Sequence, residues 1–217
     1  SMAVLKKVTL SQNKLFGADW WGDHTIDADQ CGWAALCDAL PSSPVEELDV
    51  ADVGMGVKGV TSLAKAMSAG AVLARVSVLS NPIGADGADA LIQVFEQNAK
   101  LRTLLGIEEG VTELNLSKKN VDPGQAKILA AELKASRAAA ASASLNISKN
   151  SNIGVEGATA LAKVIPESSL RHIIIGPNST EVPIRSGQPS LVLSDDLFAS
   201  DAILLEAIVD PETHLSG

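Results

Sequence analysis

Seven short segments of the chain place aliphatic residues at every second position: Val8-Thr-Leu10, Leu48-Asp-Val50, Val76-Ser-Val78, Leu114-Asn-Leu116, Leu145-Asn-Ile147, Ile173-Ile-Ile175 and Leu191-Val-Leu193. A period of two marks a strand with one buried face. Between these segments the period changes. Ala158, Leu161, Ala162 and Ile165 fall at i, i+3, i+4 and i+7, which is one face of a helix. Leu36, Leu63, Leu91, Leu129, Leu161 and Leu205 take the same place in successive helical stretches. The pattern predicts about seven strand–turn–helix units.

These units are copies of one another. Ile83-Gly84-Ala-Asp-Gly87-Ala-Asp-Ala-Leu91-Ile92 returns as Ile153-Gly154-Val-Glu-Gly157-Ala-Thr-Ala-Leu161-Ala162, with an earlier form at Met55-Gly56-Val-Lys-Gly59-Val-Thr-Ser-Leu63-Ala64. Leu48 to Val76 and Leu145 to Ile173 both span 28 residues, whereas the 38 from Val76 to Leu114 and the 31 from Leu114 to Leu145 read as insertions. One such unit cannot bury its own apolar face, but stacked neighbours bury one another's. Asn13, Asn81, Asn150 and Asn178 each stand five residues after a strand aliphatic. An amide there can donate to and accept from the backbone of stacked turns. Val53 interrupts this ladder, and Lys119 or the shifted Asn120 blurs it. Asp86 and Glu156 sit in first helical turns, where a carboxylate suits the positive dipole end. Irregular stretches are expected at 14–27, 98–110 and 179–190, with a short atypical unit or a hairpin after Thr180. The Ala/Ser tract from Ala135 to Ser144 reads as a loop, and 191–217 as a closing unit with a helix from Asp195 to Ile208. One domain over 1–217 is expected.

Leu73-Ala-Arg-Val76-Ser-Val78-Leu-Ser-Asn81 resembles the leucine-rich repeat, and the long unit with its Gly-x-x-Gly-Ala-x-x-Leu-Ala helix is similar to the ribonuclease-inhibitor-like subclass. The resemblance spans nearly the whole chain. It implies an α/β fold, a leucine-rich repeat solenoid (horseshoe) with parallel concave strands and convex helices. Ribonuclease inhibitor itself is cysteine-rich, which this chain is not, so only the repeat geometry carries over.

Composition narrows the functional classes. With 17 Lys and Arg against 26 Asp and Glu the net charge is −9, which argues against a nucleic-acid partner. No apolar run approaches the roughly 18–20 residues that a membrane span needs. Cys31 and Cys37 are the two cysteines, too few for a disulfide framework, so a reducing, cytoplasmic setting and buried free thiols are expected. Gly54-Met-Gly56-Val-Lys-Gly59 fits a dinucleotide fingerprint, yet in register its glycines match Gly84/Gly87 and Gly154/Gly157 and read as turn glycines. Asp27-Ala-Asp29-Gln-Cys31-Gly32 looks like the start of a calcium loop, but Cys31 replaces an oxygen ligand. His24, His172 and His214 stand singly, and no nucleophile elbow or phosphate loop is present. No catalytic residue, cofactor or metal is expected.

What remains is a surface. Strand residues between the core aliphatics face outward. They read Thr9, Asp49, Ser77, Asn115, Asn146, Ile174 and Val192 in one row, and Lys7, Glu47, Arg75, Glu113, Ser144, His172 and Ser190 in the next. The expected partner-binding set is Glu47, Asp49, Arg75, Ser77, Glu113, Asn115, Asn146, His172 and Ile174: acidic at Glu47, Asp49 and Asp52, then neutral polar, then apolar. Trp20 and Trp21 form a second candidate, as a loop hot spot or as a cover over the first helix beside Trp33. The function expected is a non-enzymatic, monomeric protein–protein interaction module. Two alternatives share the scaffold: a Ran-type GTPase-activating regulator, and a sensing fragment of a NOD-like receptor.

Overall fold

The alternating triplets become very short strands. In the computed structural model, which describes residues 4–17, 25–177, 180–183 and 199–209, the chain divides into two compact units, the first ending at Gly106 and the second beginning at Ile107.

The first unit runs β1 (Lys7–Thr9), α1 (Cys31–Ala39), β2 (Glu47–Asp49), α2 (Val57–Ser68), β3 (Arg75–Ser77) and α3 (Gly84–Gln97). Its sheet is parallel in the order β1-β2-β3, with Val8, Leu48 and Val76 in one register row. Leu48 and Val76 are buried, as are Leu63 on α2 and Leu91 on α3, so the core lies between strands and helices. On α1 the register shifts: Leu36 is half-buried, and Trp33 and Cys37 carry the buried face.

The stretch 98–110, expected as an irregular insertion, carries a further rung. Arg75 bridges to Thr103 and Ser77 to Leu105, and Val76 N–H donates to Thr103 O at 3.0 Å. Leu101 and Leu104 lie 28 residues after Leu73 and Val76, and all four are buried. The repeat therefore keeps its length here. It loses the alternating signature because Gly106, at φ +71, stands where Val78 stands one rung earlier.

The second unit runs β4 (Glu113–Asn115), α4 (Pro123–Ala135), β5 (Ser144–Asn146), α5 (Gly154–Val164), β6 (His172–Ile175), β7 (Thr180–Pro183) and α6 (Ala199–Val209). Strands β4, β5 and β6 are parallel, and β7 returns antiparallel to β6, the hairpin alternative expected after Thr180. The tract after α4 is not a plain loop. It holds a 3-10 turn, Ala138–Ala141, with Ala138 and Ala139 buried. The described residues thus hold six parallel strands and six helices where about seven units were expected, and Leu191-Val-Leu193 lies outside them.

Mixed α/β architecture follows from the repeated switch of period. Successive helices pack side by side, α1 on α2 on α3 and α4 on α5 on α6. The second glycine of each pair is not a turn residue: Gly59 and Gly157 lie inside α2 and α5. A Cβ on Gly157 would come within 2.8 Å of Ala126 Cβ and 3.1 Å of Pro123 Cα, so its absence lets α4 and α5 approach. No described helix is long and apolar enough to cross a membrane.

Candidate functional site

Register brings the expected surface residues together within each unit. Lys7, Glu47 and Arg75 form one row of the first sheet, and Thr9, Asp49 and Ser77 the next. In the second sheet the rows are Glu113, Ser144, His172 and Asn115, Asn146, Ile174. Lys7, Thr9, Glu113, Asn115 and His172 are exposed, and the others half-buried. Thr103 and Leu105, which would continue the first sheet's rows, are both buried.

Of the acidic residues expected to gather at Glu47, Asp49 and Asp52, Glu47 stands between two cations. Lys7 Nζ lies 3.2 Å from Glu47 Oε2, and Arg75 stands in register on Glu47's other side. The row is cation, anion, cation. Arg75 also donates from Nη2 to Gly106 O at 3.3 Å.

Three of the expected contact residues hold the fold as well as facing outward. Asp49 Oδ1 accepts from Ala51 N–H at 3.1 Å. Asn115 Oδ1 accepts from Ser117 N–H and Oγ, and Asn146 Oδ1 from Ser148 N–H and Oγ, at 2.7–3.1 Å. These side chains shape the turn that leaves each strand, a local bond that Asp and Asn make readily. Replacing them by alanine therefore disturbs turns as well as surface chemistry. Exposed Glu113 and His172 are better probes of the face.

The buried asparagines work across units of the repeat. Asn81 donates from Nδ2 to Val78 O, Leu79 O and Val50 O, and its Oδ1 accepts Val53 N–H and Met55 N–H, each at 3.0 Å. Asn150 does the same for the preceding turn through Leu116 O and Val121 N–H. Val53 and Lys119, the gaps in the ladder, are positions whose turns are held by the next asparagine along. Asn13 is exposed, and Asn178 lies outside the described residues.

The two decoy motifs explain each other. Asp27 accepts Gly56 N–H and Gly59 N–H on Oδ1 at 2.9 and 3.0 Å, and Lys58 N–H on Oδ2 at 2.8 Å. The start of α2, whose amides and dipole suit an anion, already holds this chain's own carboxylate. Gln30 Nε2 donates to the same Oδ1 at 3.0 Å, and Asp29 Oδ1 takes Cys31 N–H at the start of α1. No group of three or more His, Cys, Asp or Glu side chains among the described residues is arranged to hold a metal.

Trp20 and Trp21 lie outside the described residues. Trp33, however, is fully buried, donates from Nε1 to Gly59 O at 2.8 Å and packs 5.5 Å from Phe16 with the rings tilted by 56°. Phe16 and Asp27 are the residues that sequence reasoning missed, since both act on Gly59 from far along the chain. Of the two thiols only Cys37 is buried, and Cys31 is exposed. Burial, and secondarily the Asp38 carboxylate, pushes the Cys37 thiol up to about 12.

No family model matches this chain, and no curated protein matches it.

Proposed function

We propose that the chain is a leucine-rich repeat solenoid of the ribonuclease-inhibitor-like kind, and that its strand face binds a protein partner without chemistry of its own. One observation supports this most: parallel strands in strict register turn alternate side chains to the same side. The side chains so presented differ from rung to rung, with charge at Glu47, Arg75 and Glu113 and an aliphatic at Ile174. Within each sheet such a face is rigid before binding, so little ordering cost is added when a partner docks.

The test uses two charge changes on the exposed face, Glu113→Lys with His172→Glu, against a helix-side control, Glu96→Lys. Partners captured from native lysate by the full chain are quantified. Loss of about tenfold or more, equivalent to about 1.4 kcal/mol, is expected for the face variant and none for the control. Equal capture by all three proteins refutes the reading.

A further inference from the structure

The turns that leave the strands differ in charge between the two units. Just past β1, β2 and β3 one residue is left-handed: Gln12, Asp52 and Ser80, at φ +63, +54 and +58. Past β4 and β5 the same place is taken by Lys118 and Lys149, at φ +57 and +61. These two lysines are neighbours. The register that pairs Glu113 with Ser144 and Asn115 with Asn146 continues beyond the strands, where Leu116 N–H donates to Asn146 O at 2.8 Å and Lys118 N–H to Ser148 O at 3.3 Å. Lys118 therefore stands beside Lys149, on backbones about 4.8 Å apart.

Both lysines are exposed, and neither makes an ion pair among the described residues. Lys119, next in the same turn, is exposed too. Residues 117–121 and 148–153 contain no acid, and Asn152 Nδ2 links the two turns by donating to Asn120 Oδ1 at 2.8 Å. The arrangement carries two local costs. Like charges side by side on neighbouring strands repel, and left-handed backbone strains a lysine where Gly or Asn would sit easily. A chain of net charge −9 has acids enough to neutralise the pair, yet places none in these turns.

We propose that this turn edge of the second unit binds an acidic peptide segment of the protein partner, with carboxylates at alternate positions. An extended peptide turns every second side chain to one side, about 7 Å apart, which two flexible lysines on neighbouring rungs can span. Charge complementarity carries the assignment. The rest of a net-negative surface repels an acidic segment, so attraction is confined to the place where cations gather unneutralised. This deepens the protein-binding reading above and rests on it, but it needs no contact with the outward strand rows.

The probe is a labelled peptide of alternating Glu and Ser, whose fluorescence anisotropy is followed with the full chain at low ionic strength, where exposed charges are least screened. Lys118→Glu with Lys149→Glu is compared with the same charge change on helices α4 and α5, Lys134→Glu with Lys163→Glu. Affinity is expected to fall by about tenfold or more in the turn variant and by about threefold or less in the helix variant. If the charge reversal unfolds the chain, the milder pair Lys118→Gln with Lys149→Gln replaces it, with an expected loss of about threefold or more. Absence of binding by the unaltered chain, or equal losses in the turn and helix variants, overturns the assignment. So does tighter binding of an oligothymidylate of matched charge, since the edge is then a phosphate site. Failure of the strand-face reading shows elsewhere, as undiminished lysate capture by the Glu113→Lys, His172→Glu variant, so the two can fail independently.

Discussion

Helices α2 and α4 begin at equivalent points of their units and solve the same problem differently. In α4, Asp122 is a local cap whose side chain accepts Gln125 N–H at 2.8 Å, and Pro123 follows at the first helical position, where a missing N–H costs nothing. In α2 the cap residue is Gly56, which offers no side chain, and the carboxylate comes from Asp27, some thirty residues upstream. The local cap secures only its own helix. The distant one also fastens residues 25–30, because Asp27 N–H donates to Gly54 O and Asp29 N–H to Phe16 O. By contrast, the buried asparagine, Asn81 in one unit and Asn150 in the other, is used almost identically in both. Shared and private devices can therefore be separated by substitution.

The largest effect is expected for the shared device. Asn81→Ala strands two buried N–H groups and one carbonyl, and should cost about 3–5 kcal/mol. Asn150→Ala strands one N–H fewer and should cost about 2–4 kcal/mol on the same reasoning. Urea unfolding, with hydrogen exchange resolved by unit, measures both, and a greater loss at Asn150 would break the parallel. Next comes the capping contrast. Asp27→Ala should cost about 2–3 kcal/mol and speed exchange across residues 25–30, whereas Asp122→Ala should cost about 1 kcal/mol and act on α4 alone. Equal losses with no change at 25–30 would show that the distant carboxylate is no more than a cap. The smallest effect tests the repeated left-handed turn residue. Gln12→Gly and Lys149→Gly, at φ +63 and +61, should each stabilise by no more than about 0.5 kcal/mol, relief of backbone strain being offset by greater freedom when unfolded. Thermal melts would detect unequal gains.

Strand positions and their outward residues were legible because a period of two survives even in three-residue strands, as Val76 and Leu145 show. The rung at Leu101–Leu105 was legible in spacing but hidden in pattern, since Leu104-Leu105-Gly106 does not alternate. Leu36 occupied the expected helical place yet is only half-buried, because the larger Trp33 ring, bonded to Gly59 O, sets the inward face of α1. The roles of Phe16 and Asp27 left no local trace. Periodicity reports what a residue does for its own element, and these two act on an element well downstream. The asparagines fell between: their positions were visible, but not that Asn81 and Asn150 reach backward to the preceding turn.

That backward reach gives the fold a temporal direction. Val53 and its neighbours wait for Asn81, 28 residues later in synthesis, and the turn at Val121 waits in the same way for Asn150, so on a growing chain these two bends stay unfastened until the following strand has arrived. Shortening the protein to a point just before Asn81 or Asn150 therefore loosens the bend that precedes the cut.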